Sequence, residues 1–201
     1  MRAAGCALLE RIGPSFLVGH SLGGGLAVAI VDNCPELVVA NILLEPACIP
    51  FADYFGIGPP QWGLTFTPLL YDPPAASPAD LKRVQVGDDS PALRSCTLQA
   101  DPPRQLVNIK KVPQLVIAGE ASIHITWDHC VVEYMSQAGI EVSYLKLADI
   151  GIHGNGHFSY LEKNNLDVAR VVKERIVQYT KRKVAKVSAY APRYSKSCEV
   201  R

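Results

Sequence analysis

Leu17-Val18-Gly19-His20-Ser21-Leu22-Gly23-Gly24 is an apolar run that closes on Gly-x-Ser-x-Gly. Gly25-Leu26-Ala27-Val28-Ala29-Ile30-Val31 follows and reads as a helix stopped before Pro35. Strand, tight turn and helix in that order push a serine hydroxyl to the outside of a strained turn, the arrangement called a nucleophile elbow. Gly19 and Gly23 are expected to remove Cβ atoms that would clash where strand and helix crowd together. A Gly-rich turn with a polar tip uses the same five residues without any chemistry, so the surrounding chain decides the reading.

Outward from Ser21, Arg2 to Ile12 reads as a helix ended by Gly13-Pro14, and Ser15 to Gly19 as a short buried strand. Leu37 to Leu44 is a second apolar strand ending at Glu45-Pro46. Val112 to Gly119 is a third, Trp127 to Gln137 a helix closed by Gly139, and Val142 to Leu147 a fourth strand. The loop Ile152 to Phe158 leads to an amphipathic helix from Asn165 to about Lys181. Hydrophobicity along these strands is continuous rather than alternating, which predicts strands covered on both faces. The fold class is therefore α/β, a mostly parallel sheet flanked by helices.

The insertion at about 50–108 has a different character, with Pro59-Pro60, Pro73-Pro74 and Pro102-Pro103 interleaved with Phe51, Tyr54, Phe55, Trp62, Phe66 and Tyr71. So many aromatic residues argue against disorder and predict an ordered lid. Trp62 and Phe66, with His124 after the third strand, are candidates for lining a substrate pocket. Residues 1–180 are expected to form one domain, and 181–201 a basic, flexible tail.

Composition narrows the function classes. A net charge of +1 among 201 residues gives no general electrostatic reason for nucleic acid or an anionic membrane as partner. No apolar run approaches the roughly 18 residues of a membrane span. Met1 to Arg11 has a short apolar core interrupted by Glu10 and Arg11, so it reads as an amphipathic helix and not a signal peptide. That makes the cytoplasm the default location, with secretion the alternative if the chain lacks its original start. Cys6, Cys34, Cys48, Cys96, Cys130 and Cys198 are scattered without a CxxC pair, so no metal site and no cofactor are called for. One or two disulfides fit a secreted parent, with the pairing open.

A serine hydroxyl needs a base in hydrogen-bond reach and an acid to orient that base. Five histidines compete. His20 precedes the serine and is expected to pack locally, while His124 and His129 follow the third strand. His153 and His157 share the loop after the fourth strand, and loops following parallel strands gather at one sheet edge. His157 is the preferred base, because Gly154 and Gly156 let the loop fold sharply, and His153 is second.

Gly19-His20-Ser21-Leu22-Gly23-Gly24 with Gly154-Asn155-Gly156-His157, in this strand and helix order, resembles the alpha/beta-hydrolase superfamily, whose chain order is Ser, acid, His. Glu45-Pro46, Tyr71-Asp72-Pro73-Pro74, Gly119-Glu120-Ala121-Ser122, and His153 to His157 with Leu161-Glu162-Lys163-Asn164-Asn165 are similar to a bacterial and fungal esterase-like branch. The resemblance spans roughly residues 3 to 180. It implies a serine hydrolase of small-molecule carboxylic esters working through a Ser-His-Glu triad and an acyl-enzyme. Where many members carry an aspartate after the third strand, this chain has Ser122, and the branch uses a glutamate at the strand end that Glu45 occupies. Ser21, His157 and Glu45 are the catalytic candidates, Glu120 and Asp128 the alternative acids, and the Leu22 N–H one oxyanion donor. The family places several strands and an oxyanion loop before the elbow, where this chain has one helix. It therefore reads as the C-terminal portion of such a hydrolase, truncated, with an exposed elbow strand. The alternative is an inactive hydrolase-like protein that binds a small apolar ligand or a partner chain.

Overall fold

The computed structural model describes residues 1–53 and 56–189, with side chains to residue 181. In chain order the elements are α1 (Arg2–Ile12), β1 (Ser15–Ser21), α2 (Leu22–Asn33), β2 (Val38–Pro46), β3 (Tyr71–Asp72), β4 (Arg83–Val86), β5 (Cys96–Gln99), β6 (Gln105–Leu106), β7 (Gln114–Ala118), α3 (Asp128–Gln137), β8 (Val142–Lys146) and α4 (Asn165–Ala189). Four strands form a parallel sheet in the order β1-β2-β7-β8.

Both faces of the central strands β2 and β7 are covered, as their continuous apolar runs require, while β1 at the sheet edge is only partly buried and its Val18 is exposed. Successive residues of β2 and β7 point to opposite sides. Leu43 and Val116 join Cys6, Leu9, Val28, Val31, Val131 and Tyr134, so α1, α2 and α3 lie on one face. Ile42, Leu115 and Ile117 instead meet Val168 and Val171 of α4 on the other. Each fully buried leucine or isoleucine in these layers contributes about 1.5–3 kcal/mol. Helix α3 ends where Gly139 takes the left-handed conformation (φ 79°) and the Ile140 N–H returns to Met135 O at 3.0 Å, a glycine C-cap. No helix among the described residues is long and apolar enough to cross a membrane.

Prolines and aromatics between β2 and β7 form an ordered segment with two antiparallel strand pairs, β3 with β6 and β4 with β5. Trp62, Leu64, Leu69, Tyr71, Leu81, Leu98 and Leu106 enter the same core as α2 and α3. Leu70 N–H is held by the buried Asp32 carboxylate of α2, and the Asn108 amide by Asp32 O at 2.8 Å. A disulfide joins Cys96 of β5 to Cys130 of α3, and a second joins Cys6 of α1 to Cys34 after α2. Cys48 is buried and unpaired, and Cys198 lies outside the described residues.

Two expectations change. The C-terminal helix does not stop near Lys181 but continues to Ala189, so the start of the expected tail is helical, and residues 190–201 lie outside the described residues. Crowding at the elbow falls on Gly19 and Gly24, not on Gly23. A Cβ at Gly19 would lie 2.8 Å from Gly23 O, and one at Gly24 2.5 Å from the Pro46 Cβ, whereas Gly23 faces open space.

Candidate active site

Ser21 ends β1 and immediately precedes α2, with φ 52° and ψ −124°. Among the described residues only Ser21, Glu45 and Phe51 are non-glycines with positive φ. Such backbone costs on the order of 1–3 kcal/mol at each residue, and observed outliers of this kind cluster at functional sites. The turn leaves the Leu22 N–H at the start of α2, where amide donors have no partner inside the helix.

Glu45 reaches the same place from the neighbouring strand. Register along β1 and β2 pairs His20 with Leu44 but Ser21 with Pro46, which leaves Glu45 as an extra, bulged residue. A bulge re-aims a side chain, and here the φ of 46° turns the buried carboxylate toward the strand ends. Glu45 Oε1 accepts the Gly119 N–H (2.7 Å), and Oε2 accepts the Ser122 hydroxyl (2.6 Å) and His157 Nδ1–H (2.7 Å). An ionised carboxylate only accepts, so the imidazole proton sits on Nδ1 and Nε2 keeps its lone pair.

His157 is delivered by the loop after β8, and that loop is fixed in turn. Gly156 N–H donates to Glu162 Oε1 (2.8 Å), and the buried Asn155 exchanges amide hydrogen bonds with Asn164 (2.8 and 2.9 Å) and donates to Glu162 Oε2. The Ala121 N–H donates to Asn155 O (2.9 Å). A Cβ at Gly119 would run into that same carbonyl, so the loops after β7 and β8 meet too closely for any side chain there. His20 Nε2–H donates to His157 O (2.8 Å), which ties the His157 backbone to the residue before Ser21. Burial lowers the His20 pKa from its usual value.

The alternative acids have other partners. Glu120 is exposed and accepts from Gly154 N–H (3.0 Å) and His153 Nδ1–H (3.2 Å), contacts that hold its carboxyl below the usual carboxylate range. The second-choice base, His153, is thus paired with the second-choice acid at the rim. Asp128 is buried 2.9 Å from His124 Nδ1, and burial pushes its carboxyl well above the usual range. Of the pocket candidates, Trp62 is buried with its carbonyl accepting the Tyr71 hydroxyl, Phe66 is half-exposed, and His124 is fully buried with its ring against His157.

Sequence reading did not find the roles of Gly119, Ser122, Asn155, Glu162 and Asn164. One signal for Ser122 was present: it stands where an aspartate was expected, and its hydroxyl donates to Glu45. Glu45, His124 and His157 offer ligand atoms within 4.8 Å of one another. The two imidazole planes are 3° from parallel, so their lone pairs run in separate planes instead of converging on one ion. Cys96, His129 and Cys130 also cluster, but their sulfurs are joined to each other.

Residues 2–171 match the profile of the alpha/beta hydrolase family. The chain is 41% identical over 170 residues to a probable secreted lipase, phiG, of a fungal species (strain ATCC 74256), covering 83% of this chain and 46% of that protein. It therefore spans about half the length of that curated relative. Among solved structures it resembles a novel bacterial esterase (TM-score 0.54, 18% identity, 89% of this chain and 42% of that one). It also resembles the Butyrivibrio proteoclasticus protein Est1E, solved with ferulic acid (TM-score 0.50, 16% identity, 90% and 68%). These structural likenesses speak for the fold, and the family match runs through elbow, bulge and loop alike: the chain belongs to the alpha/beta hydrolase family.

Proposed function

We propose that this chain hydrolyses carboxylic esters through an acyl-enzyme on Ser21, with His157 as general base and acid and Glu45 as its orienting carboxylate. Ser21 Oγ attacks the ester carbonyl while His157 Nε2 takes its proton, and the imidazolium then returns that proton to the departing alkoxide. Water repeats the sequence on the acyl-serine, releasing the acid and restoring the serine. Glu45 stays ionised, holds the tautomer and balances the transient positive charge. The Leu22 N–H, at the positive end of α2, supports the developing oxyanion.

The 2.7 Å contact between Glu45 and His157 carries this reading, because it joins the end of β2, beside the elbow, to the loop after β8. Leu22 and Phe158 are exposed beside Ser21 and His157, and they suit an apolar acyl or alcohol group. The likeness to a lipase supports the same substrate class. Hydrolysis of a short-chain nitrophenyl ester is expected to fall to background in Ser21→Ala and in His157→Ala. Equal rates in all three proteins would sink the assignment.

A second reading is favoured by β1, whose only pairing partner among the described residues is β2 and whose Val18 is 52% exposed. An inactive form that binds an apolar ligand or partner chain would leave Ser21 unlabelled by a fluorophosphonate probe, whereas the hydrolase reading expects labelling.

A further inference from the structure

We propose that His124 is a positioning residue for His157: a buried ring laid flat against the proposed base, fixing the plane in which that base bonds Glu45 and presents Nε2. The inference rests on the reading of Ser21, His157 and Glu45 given above.

One hydrogen bond does not orient an imidazole. The terminal torsion of a histidine is broad, so the 2.7 Å bond to Glu45 pins one nitrogen and leaves the ring able to turn about that contact. The His124 ring removes this freedom. Its centroid lies 4.6 Å from that of His157, with only 3° between the planes. His20 and Phe158 also touch the His157 ring, at 4.5 and 5.0 Å, but are tilted by 36° and 69°, so among the described residues His124 alone offers a parallel face.

That face is itself held. His124 is 0% exposed, and its Nδ1 lies 2.9 Å from Asp128 Oδ1 and 3.2 Å from Trp127 Nε1. The Trp127 ring meets it edge-on at 5.3 Å. His124 N–H donates to Ser122 Oγ (3.3 Å), and the Ser122 hydroxyl donates to Glu45. One short turn after β7 thus steadies the acid through Ser122 and the base through His124.

Charge fits the role. A protonated His124 would set a second positive charge against the imidazolium that forms on His157 during acyl transfer. The groups facing His124 include His20 from β1, Glu45 from β2, His157 from the loop after β8, and Trp127 and Asp128 beside it in the chain. Burial dominates their influence and lowers the His124 pKa to about 4, while the Asp128 carboxyl is pushed upward. The Trp127 Nε1–H donates to His124 Nδ1, so that nitrogen accepts, and with this ring uncharged the stack carries one charge when His157 takes the proton.

The test uses the full chain and two variants: His124→Phe keeps a flat ring that cannot ionise, and His124→Ala removes it. Fluorophosphonate labelling of Ser21 is expected to slow by about 10- to 100-fold in His124→Ala and to stay within about threefold of wild type in His124→Phe. In a Ser21→Ala background, where turnover plays no part, the deshielded Nδ1–H proton of His157 is followed by NMR and assigned by its loss in Glu45→Gln. It is expected to be sharp with His124 or Phe at position 124 and lost or broadened with Ala. If His124→Ala melts near room temperature, His124→Leu, of similar volume but without a ring, takes its place. An unchanged labelling rate and an unchanged proton signal in the ringless variant would overturn the proposal. So would a His124→Phe protein that is cooperatively folded yet as slow as the ringless one. If wild type itself is never labelled, the hydrolase reading fails while the proton signal still reports on the stack.

Discussion

Glu45 is held at one position by three donors from outside its own strand: the Gly119 amide, the Ser122 hydroxyl and His157 Nδ1. An amide keeps one acceptor oxygen where the carboxylate has two, so it cannot serve the Gly119 donor on one side and the Ser122 and His157 donors on the other, and it no longer selects the tautomer that leaves Nε2 unprotonated. Glu45→Gln is therefore expected to lower kcat for a nitrophenyl ester by about 10³–10⁴ with the fold intact. Glu120→Gln, at an exposed rim position bonded to His153 and Gly154, is expected to stay within about threefold of wild type. The comparison is read from steady-state rates of the two variants side by side, and the reverse ranking would transfer the role to Glu120. Ser122→Ala separates positioning from charge. It removes one donor to Oε2 but keeps the carboxylate, and a hydrogen bond to a charged group is worth about 1.5–3 kcal/mol, or roughly 10- to 150-fold.

At the scale of elements, legibility followed locality. The β1–turn–α2 unit is written in consecutive residues, an apolar run, glycines and a stop at Pro35, so it was readable from the chain alone. Glu45 was readable as a strand end because Pro46 follows it, but its bulge was not, since the extra residue exists only relative to the register of β1. The Gly23 expectation failed for a related reason: which glycine is crowded depends on how closely Pro46 approaches α2, and the contact falls on Gly24. The face of His124 on His157 joins loops 33 residues apart in sequence and leaves no periodic trace; only its spacing from Asp128, one helical turn, hinted at a pair. That turn should show itself in acid. With the His124 pKa lowered from 6.5 to about 4, the unfolded chain takes up a proton that the folded one refuses. Stability from this residue is thus complete above about pH 6.5 and is lost as pH falls toward 4, by an amount on the order of 3 kcal/mol. Asp128 works in the opposite sense, its buried acid form favouring the fold at low pH and costing stability as pH rises. Urea midpoints at pH 7 and 4.5 are expected to separate further for wild type than for His124→Phe, which cannot protonate at that position.

For the whole molecule, the sheet acts as a frame that brings residues 21, 45 and 157 to one edge, while the two disulfides fasten α1 to the end of α2 and β5 to α3. Each bond closes a loop of about 30 residues, worth roughly 3.5–4 kcal/mol. Support of that kind matters because the elbow opposes it. Ser21 holds φ 52° and ψ −124°, a conformation open to glycine and strained for any residue with a Cβ. Ser21→Ala keeps that strain, whereas Ser21→Gly releases it. Glycine also gains freedom in the unfolded chain, so the net expectation is that Ser21→Gly unfolds about 1 kcal/mol later than Ser21→Ala in urea, both being inactive. The turn therefore sets two kinds of fitness against each other within one side chain. A search that rewarded only resistance to unfolding would replace this serine with glycine and lose the nucleophile, so screens for sturdier versions of the protein have to score turnover at the same time.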